Sequence, residues 1–185
     1  MKHLGTKVLE TKRLILRPFT ISDAPAMYKN WASDDEVTKF LTWPSHASVQ
    51  VSEEVIADWV SHYEEGNYYS WAIVCKENGA EPIGSIAAVS QNEQIRTAEI
   101  GYCMGKSWWG KGIMAEALVE VIRFFMEEVE FNRVSARHDA NNPNSGKVMQ
   151  KSGMHYVGIM RQADMNNQGI CDAVYYELLA EDYFS

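Results

Sequence analysis

Ala98-Glu-Ile-Gly-Tyr-Cys-Met-Gly-Lys-Ser-Trp-Trp-Gly-Lys-Gly-Ile-Met-Ala-Glu-Ala117 decides how the chain is read. A β-rich run, Ala98 to Met104, passes through a turn carrying Gly110 and Gly112. It then enters an apolar pattern (Ile113, Met114, Ala117, Leu118, Val121, Ile122, Phe125, Val129) that marks a long amphipathic helix. Free amides at a helix N-terminus, backed by the helix dipole, form a ready anion site. Glycine lets the backbone approach a phosphate with no Cβ in the way. A plain strand-to-helix connection needing two glycines is the competing explanation.

Working outward, Tyr69 to Lys76, Pro82 to Ser90 and Ala98 to Met104 are β-rich and are punctuated by Glu77-Asn78-Gly79 and Gln91-Asn92, which predicts an antiparallel meander. Upstream, Arg13 to Phe19 reads as a strand, and Ser22-Asp23 opens a helix to about Trp31. Ser33-Asp34-Asp35-Glu36 has the S-x-x-E form of a capping box. From Ser52, Val55, Ile56, Trp59, Val60 and Tyr63 lie on one helical face. Downstream come a strand over Arg133 to His138, a helix over Pro143 to Lys151, and strands over Tyr156 to Met160 and Ala173 to Leu179. This order predicts an α+β fold, a mixed and mostly antiparallel sheet of six or seven strands flanked by helices.

With 185 residues and no repeat or Pro/Gly/Ser-rich linker, residues 1–185 read as a single domain, large enough to fold without a disulfide or metal staple. Hydrophobic residues make up 46% and charged residues 23%, which excludes a disordered or fibrous chain. Lys+Arg number 17 against 25 Asp+Glu, a formal charge of −8. That balance speaks against nucleic acid as a partner and suits a cationic acceptor such as an amine. Cys75, Cys103 and Cys171 lack metal-ligand spacing and read as buried free thiols of a reducing compartment. Met1 to Lys7 has no apolar signal core, and Val119 to Val129 is broken by Glu120, Arg123, Glu127 and Glu128. The expectation is a cytoplasmic chain with no membrane span.

Three phosphate motifs compete for the glycine turn. Gly105 to Lys111 matches a P-loop until Gly112, which stands where a magnesium-binding Ser or Thr is required. Gly110, Gly112 and Ala115 match a dinucleotide fingerprint, with Asp139 placed to bind a ribose, but the motif lies late in the chain behind a meander. Thirdly, Trp109-Gly-Lys-Gly-Ile-Met114 resembles the acyl-CoA pyrophosphate loop of the GNAT acetyltransferases, most closely the branch holding the ribosomal-protein N-terminal acetyltransferases. Trp109 replaces that loop's usual Gln/Arg, and Met114 its last Gly/Ala. Three other segments resemble the same branch in order: Glu10 to Pro18, Glu99-Ile-Gly-Tyr102, and Asn142-Pro-Asn-Ser145 through Lys151-Ser-Gly153-Met154. The likeness covers about residues 10–182.

The resemblance implies acetyl transfer from acetyl-CoA to a primary amine by direct attack, with no metal. It places the pantetheine arm and carbonyl against the amides of Tyr102, Cys103 and Met104, and the pyrophosphate against Trp109, Gly110, Lys111, Gly112, Ile113, Met114 and Ala115. It implies that Asn142 bonds the pantetheine arm, although Asn before Pro143 is also a good helix cap. Ser145 takes the position that protonates the leaving thiolate, and Glu99 that of a general base. Glu116, His138 and His155 read as structural, and Cys103 lacks the paired His of an acyl-enzyme nucleophile. The acceptor stays open between a protein N-terminus and a small-molecule amine, and the chain between monomer and homodimer. A non-catalytic acyl-CoA-binding domain is the alternative, with a dinucleotide-binding oxidoreductase behind it.

Overall fold

The computed structural model describes all 185 residues, Met1–Ser185. Eight strands form one sheet: β1 (Leu9–Glu10), β2 (Leu14–Arg17), β3 (Ser70–Cys75), β4 (Pro82–Asn92), β5 (Thr97–Met104), β6 (Arg133–Asp139), β7 (His155–Asn166) and β8 (Gly169–Leu179). Their order is β1-β2-β3-β4-β5-β6-β8-β7, and every pair is antiparallel except β5–β6. The strand beyond the expected six or seven is β1, whose two residues are too few to show an alternating pattern.

Six α-helices flank the sheet: α1 (Ala24–Met27), α2 (Asp35–Thr38), α3 (Val49–Ser61), α4 (Ile113–Arg123), α5 (Pro143–Lys151) and α6 (Ala180–Tyr183). The sheet separates two apolar layers. On one face, Leu14, Trp71, Ile86, Ile100 and Val134 pack with Leu118, Val121 and Phe125 of the long helix and Met149 of α5. On the other, Ala72 and Cys103 meet Met27, Trp31 and Ile56 from the α1 and α3 regions. Phe124, Phe125 and Met126 are all buried, and three consecutive buried positions do not fit one stripe of a 3.6-residue helix. There the backbone widens into a π-helical turn over Phe124–Val129. No helix is long and apolar enough to cross a membrane.

Two helix starts differ from the sequence expectation. The cap of α2 is Asp34, whose Oδ1 accepts from the Glu36 amide at 2.9 Å, because Ser33 instead donates to the Tyr28 carbonyl at 2.7 Å. Helix α3 starts at Val49, and Ser52 is buried inside it, 2.7 Å from His46 Nδ1. Of the three free cysteines only Cys171 is buried; Cys75 and Cys103 are partly exposed.

The turn after β2 is fixed by a nearly buried ion pair. Asp23 accepts from Arg17 Nη1 and Nη2 at 2.7 and 2.8 Å and from the Thr20 amide at 2.8 Å. Burial pushes the Asp23 carboxyl up, but these donors outweigh it and hold it below its ordinary value of 3.8. Asp23→Ala strands the Arg17 guanidinium and is expected to destabilise the fold by about 2–3 kcal/mol in urea unfolding. A carboxyl depressed by folding adds stability at neutral pH that is lost as the pH falls below 3.8 through the folded-state value. The gap between wild type and variant should therefore close in acid.

Candidate active site

Strands β5 and β6 pair only over Thr97↔Arg133, Ala98↔Val134 and Glu99↔Ser135. Beyond Glu99 they part, and Ala136 to Asp139 pair with β8 alone. The open stretch of β5 keeps its ladder to β4, where Gly105 N donates to Ile83 O at 2.9 Å. Alternation along an antiparallel ladder then directs the Gly101 and Cys103 amides to β4, and those of Ile100, Tyr102 and Met104 into the gap. The expected set of three amides thus divides, with Cys103 turned the other way. The Cys103 side chain faces the α1–α3 layer, with Sγ 3.3 Å from Ser85 Oγ. Burial pushes its thiol up to about 11, which leaves it protonated and a poor nucleophile.

The glycine turn follows at the end of β5. Gly110 and Gly112 have φ of +75° and +71°, and Gly112 is the left-handed N-cap of α4. No backbone N–H from Gly110 to Ala115 donates a hydrogen bond within the chain, while the next, Glu116 N, closes on Gly112 O at 3.1 Å. Six successive free donors at the start of an eleven-residue helix, exposed through Gly112, suit a diphosphate.

Side chains far apart in sequence brace this turn. Glu116 accepts from Thr11 Oγ1 at 2.5 Å, Arg13 N at 2.9 Å and Arg13 Nε at 2.6 Å. Arg13 Nη1 donates to the Lys111 carbonyl at 3.0 Å, and Trp109 Nε1 to the Met104 carbonyl at 2.7 Å. Glu116 is structural, as expected. Arg13 was not foreseen, because nothing local to Arg13 points to a turn 98 residues away. Trp109 is exposed, and its indole N–H ties the loop to the end of β5.

Helix α5 lies on the α4 face of the sheet. Pro143 takes its first turn, and Asn142 is the N-cap position, yet the Asn142 side chain makes no capping hydrogen bond. Capping therefore does not account for the Asn142 side chain. One turn in, Ser145 Oγ and the Ser145 carbonyl each lie 3.0 Å from the Tyr102 hydroxyl. Gly146 lets the helix settle on His138: a Cβ there would come within 2.6 Å of His138 Nε2. His138 stacks on Tyr176 and bonds the Asp139 carbonyl, and His155 is an exposed residue 3.9 Å from Asp182.

Glu99 sits where the gap opens, and Arg137 of β6 binds its Oε1. Arg137 also pairs through Nε with Asp164 of β7 at 2.7 Å. The β7–β8 tip reaches the segment after α2: Asn167 N donates to Leu41 O at 3.1 Å, and Nδ2 to Thr38 O and Trp43 O at 2.8 Å each. Arg137 and Asp164 are further charged residues beside Glu99 that sequence reading missed, and Asn167 is the residue that ties the hairpin tip to the segment after α2. Asp139, which a ribose-binding role would require to be free, is buried and accepts from Asn141 N and Asn166 Nδ2 at 2.7 Å each. With one parallel pairing in the whole sheet, the dinucleotide reading has neither its acid nor its architecture.

Comparison with known proteins points to one family and one fold. The sequence model of the acetyltransferase (GNAT) domain matches residues 13–155. An uncharacterized N-acetyltransferase of Bacillus licheniformis, p20, is 28% identical over 177 residues, 96% of this chain and 98% of its own. The ribosomal-protein-serine acetyltransferase of Escherichia coli (strain K12) is 28% identical over 137 residues, 74% of this chain and 75% of its own. The ribosomal L7/L12 alpha-N-protein acetyltransferase RimL, solved in complex with coenzyme A, shares the fold with a TM-score of 0.84 at 20% identity, covering 95% of this chain and 99% of that one.

Proposed function

The chain belongs to the GNAT acetyltransferase family and moves an acetyl group from acetyl-CoA to an amine, and from that premise we propose how its residues divide the work. The observation that carries the reading is the run of free amides from Gly110 to Ala115 beside the gap between β5 and β6. These amides take the pyrophosphate, with the exposed Lys111 ammonium close by. The pantetheine arm then enters the gap, where the Tyr102 and Met104 amides receive it and the thioester carbonyl, and the uncommitted Asn142 amide bonds it from the other side. An oxyanion forming there meets fixed N–H donors that need no reorganisation.

The acceptor amine comes from the face that carries Glu99. Glu99 holds one oxygen on Arg137 and keeps Oε2 free to take the ammonium's proton, directly or through water. The amine attacks the carbonyl carbon, the tetrahedral centre collapses, and Ser145 supplies a proton as the C–S bond breaks. The carboxylates Glu99 and Asp164 outnumber Arg137 and favour a cationic acceptor. The acceptor class is a primary amine, either a protein N-terminus or a small molecule, and the named relative makes a ribosomal protein one to test first. The same reading treats residues 1–185 as one acyltransferase unit, supported by a single sheet running from Leu9 to Leu179.

The test is free-thiol release from acetyl-CoA, with chelator present, across ribosomal proteins, polyamines, aminoglycosides and small metabolite amines. At least one acceptor should release thiol in equal amount to acetylated amine. Saturable acetyl-CoA binding with no thiol release from any acceptor would instead support the binding-domain alternative.

A further inference from the structure

The Tyr102 hydroxyl is within hydrogen-bond distance of two atoms of the same residue, the Ser145 carbonyl and Ser145 Oγ, at 3.0 Å each. A phenol has one hydrogen, so it donates to one of the two at a time. If it donates to the carbonyl, Ser145 Oγ is left to spend its own hydrogen on the Tyr102 oxygen. If it donates to Oγ, the Ser145 hydrogen is released to point elsewhere. The carbonyl loses nothing in that second state, because inside α5 it also serves as the i−4 acceptor of the Met149 amide. Tyr102 projects from β5, on the open stretch that leaves β6, and Ser145 stands on α5, so the contact joins two elements that flank the gap.

We propose that Tyr102 is a positioning residue for acetyl transfer: by donating to Ser145 Oγ it turns the Ser145 hydrogen toward the departing sulfur. The inference rests on the reading of Ser145 given above. When the tetrahedral centre collapses, the oxyanion re-forms the carbonyl and the C–S electron pair goes to sulfur. Sulfur takes the Ser145 Oγ hydrogen, and Oγ is restored by the proton the acceptor nitrogen sheds, carried by solvent. The Tyr102 hydrogen stays on its own oxygen throughout. Burial pushes the Tyr102 phenol above its ordinary range despite the Ser145 contact, so it remains a neutral donor at every pH the enzyme meets. A donor to Oγ also polarises the Ser145 O–H and makes it a better acid than a lone serine.

Tyr102→Phe keeps the ring and removes only the hydroxyl, so the packing of β5 on α5 is retained. At saturating acetyl-CoA and acceptor, kcat should fall about three- to tenfold, the worth of one hydrogen bond. The KM for acetyl-CoA and its calorimetric Kd should stay at wild-type values, and so should the thermal midpoint to within a few degrees. The deciding readout is the double-mutant cycle: in a Ser145→Ala background, Tyr102→Phe should cause no further loss of kcat. Multiplying losses would show Tyr102 acting on its own, and a loss confined to Kd would show a merely structural clasp; either overturns the proposal. Wild-type kcat in Tyr102→Phe with Ser145→Ala impaired removes this proposal alone. Wild-type kcat in Ser145→Ala removes the reading of Ser145 and this proposal with it.

Discussion

Gly112→Val is expected to weaken acetyl-CoA binding about a hundredfold in a chain that still folds, the equivalent of two lost charge-assisted hydrogen bonds. The reason is conformational. Gly112 sits at φ +71°, where a β-branched residue is strained, and it is the residue from which α4 starts. The space around it is open: a Cβ would meet only Arg13 Nη2, at an ordinary 3.7 Å. The protein therefore has no clash to relieve by unfolding. It relieves strain of about 1–3 kcal/mol by rotating the turn, and the rotation carries the Gly112 and Ile113 amides off the phosphate. Calorimetry with acetyl-CoA beside a thermal melt checks both halves. An unchanged Kd in a folded variant would remove the glycine turn as the pyrophosphate site.

That turn was legible in the sequence because all its parts are contiguous. A strand, two glycines and a helix start fall within twenty residues, and the backbone does the binding. The meander and the long amphipathic helix were legible for a similar reason, since each buries residues at its own period. The β7–β8 hairpin was underestimated because β7 has no buried face to report. Tyr156, Val157, Ile159, Met160 and Met165 are apolar yet exposed, and the mostly polar stretch from Arg161 to Asn166 reads as loop until β8 supplies its partner. The charges around Glu99 were illegible because each contact joins distant segments. Arg137 meets Glu99 across 38 residues and Asp164 across 27. Asn142 shows the opposite failure. A sound local rule, Asn before Pro as a cap, described the backbone position correctly and the side chain not at all.

Ser145→Ala is expected to lower kcat by about tenfold to a hundredfold, at or below the low end of general acid catalysis, because a thiolate already leaves fairly well. The interaction is made as the C–S bond breaks, so kcat and kcat/KM should fall together while the acetyl-CoA Kd stays near wild type. Glu99→Gln acts on the other step. A lost base slows removal of the acceptor's proton, so the glutamine variant should turn over slowly at saturating substrate with its acetyl-CoA Kd unchanged. Ion pairing to Arg137 gives the experiment a second arm. If Glu99 serves only to anchor Arg137, the variant instead raises the acceptor KM and keeps the wild-type kcat. The two substitutions are separable because a lost acid and a lost base affect opposite ends of the reaction. Wild-type turnover in both, on a genuine acceptor and with chemistry limiting, would remove the catalytic assignment while leaving the cofactor site in place, since that site is built from backbone amides and the Asn142 side chain, which neither substitution alters.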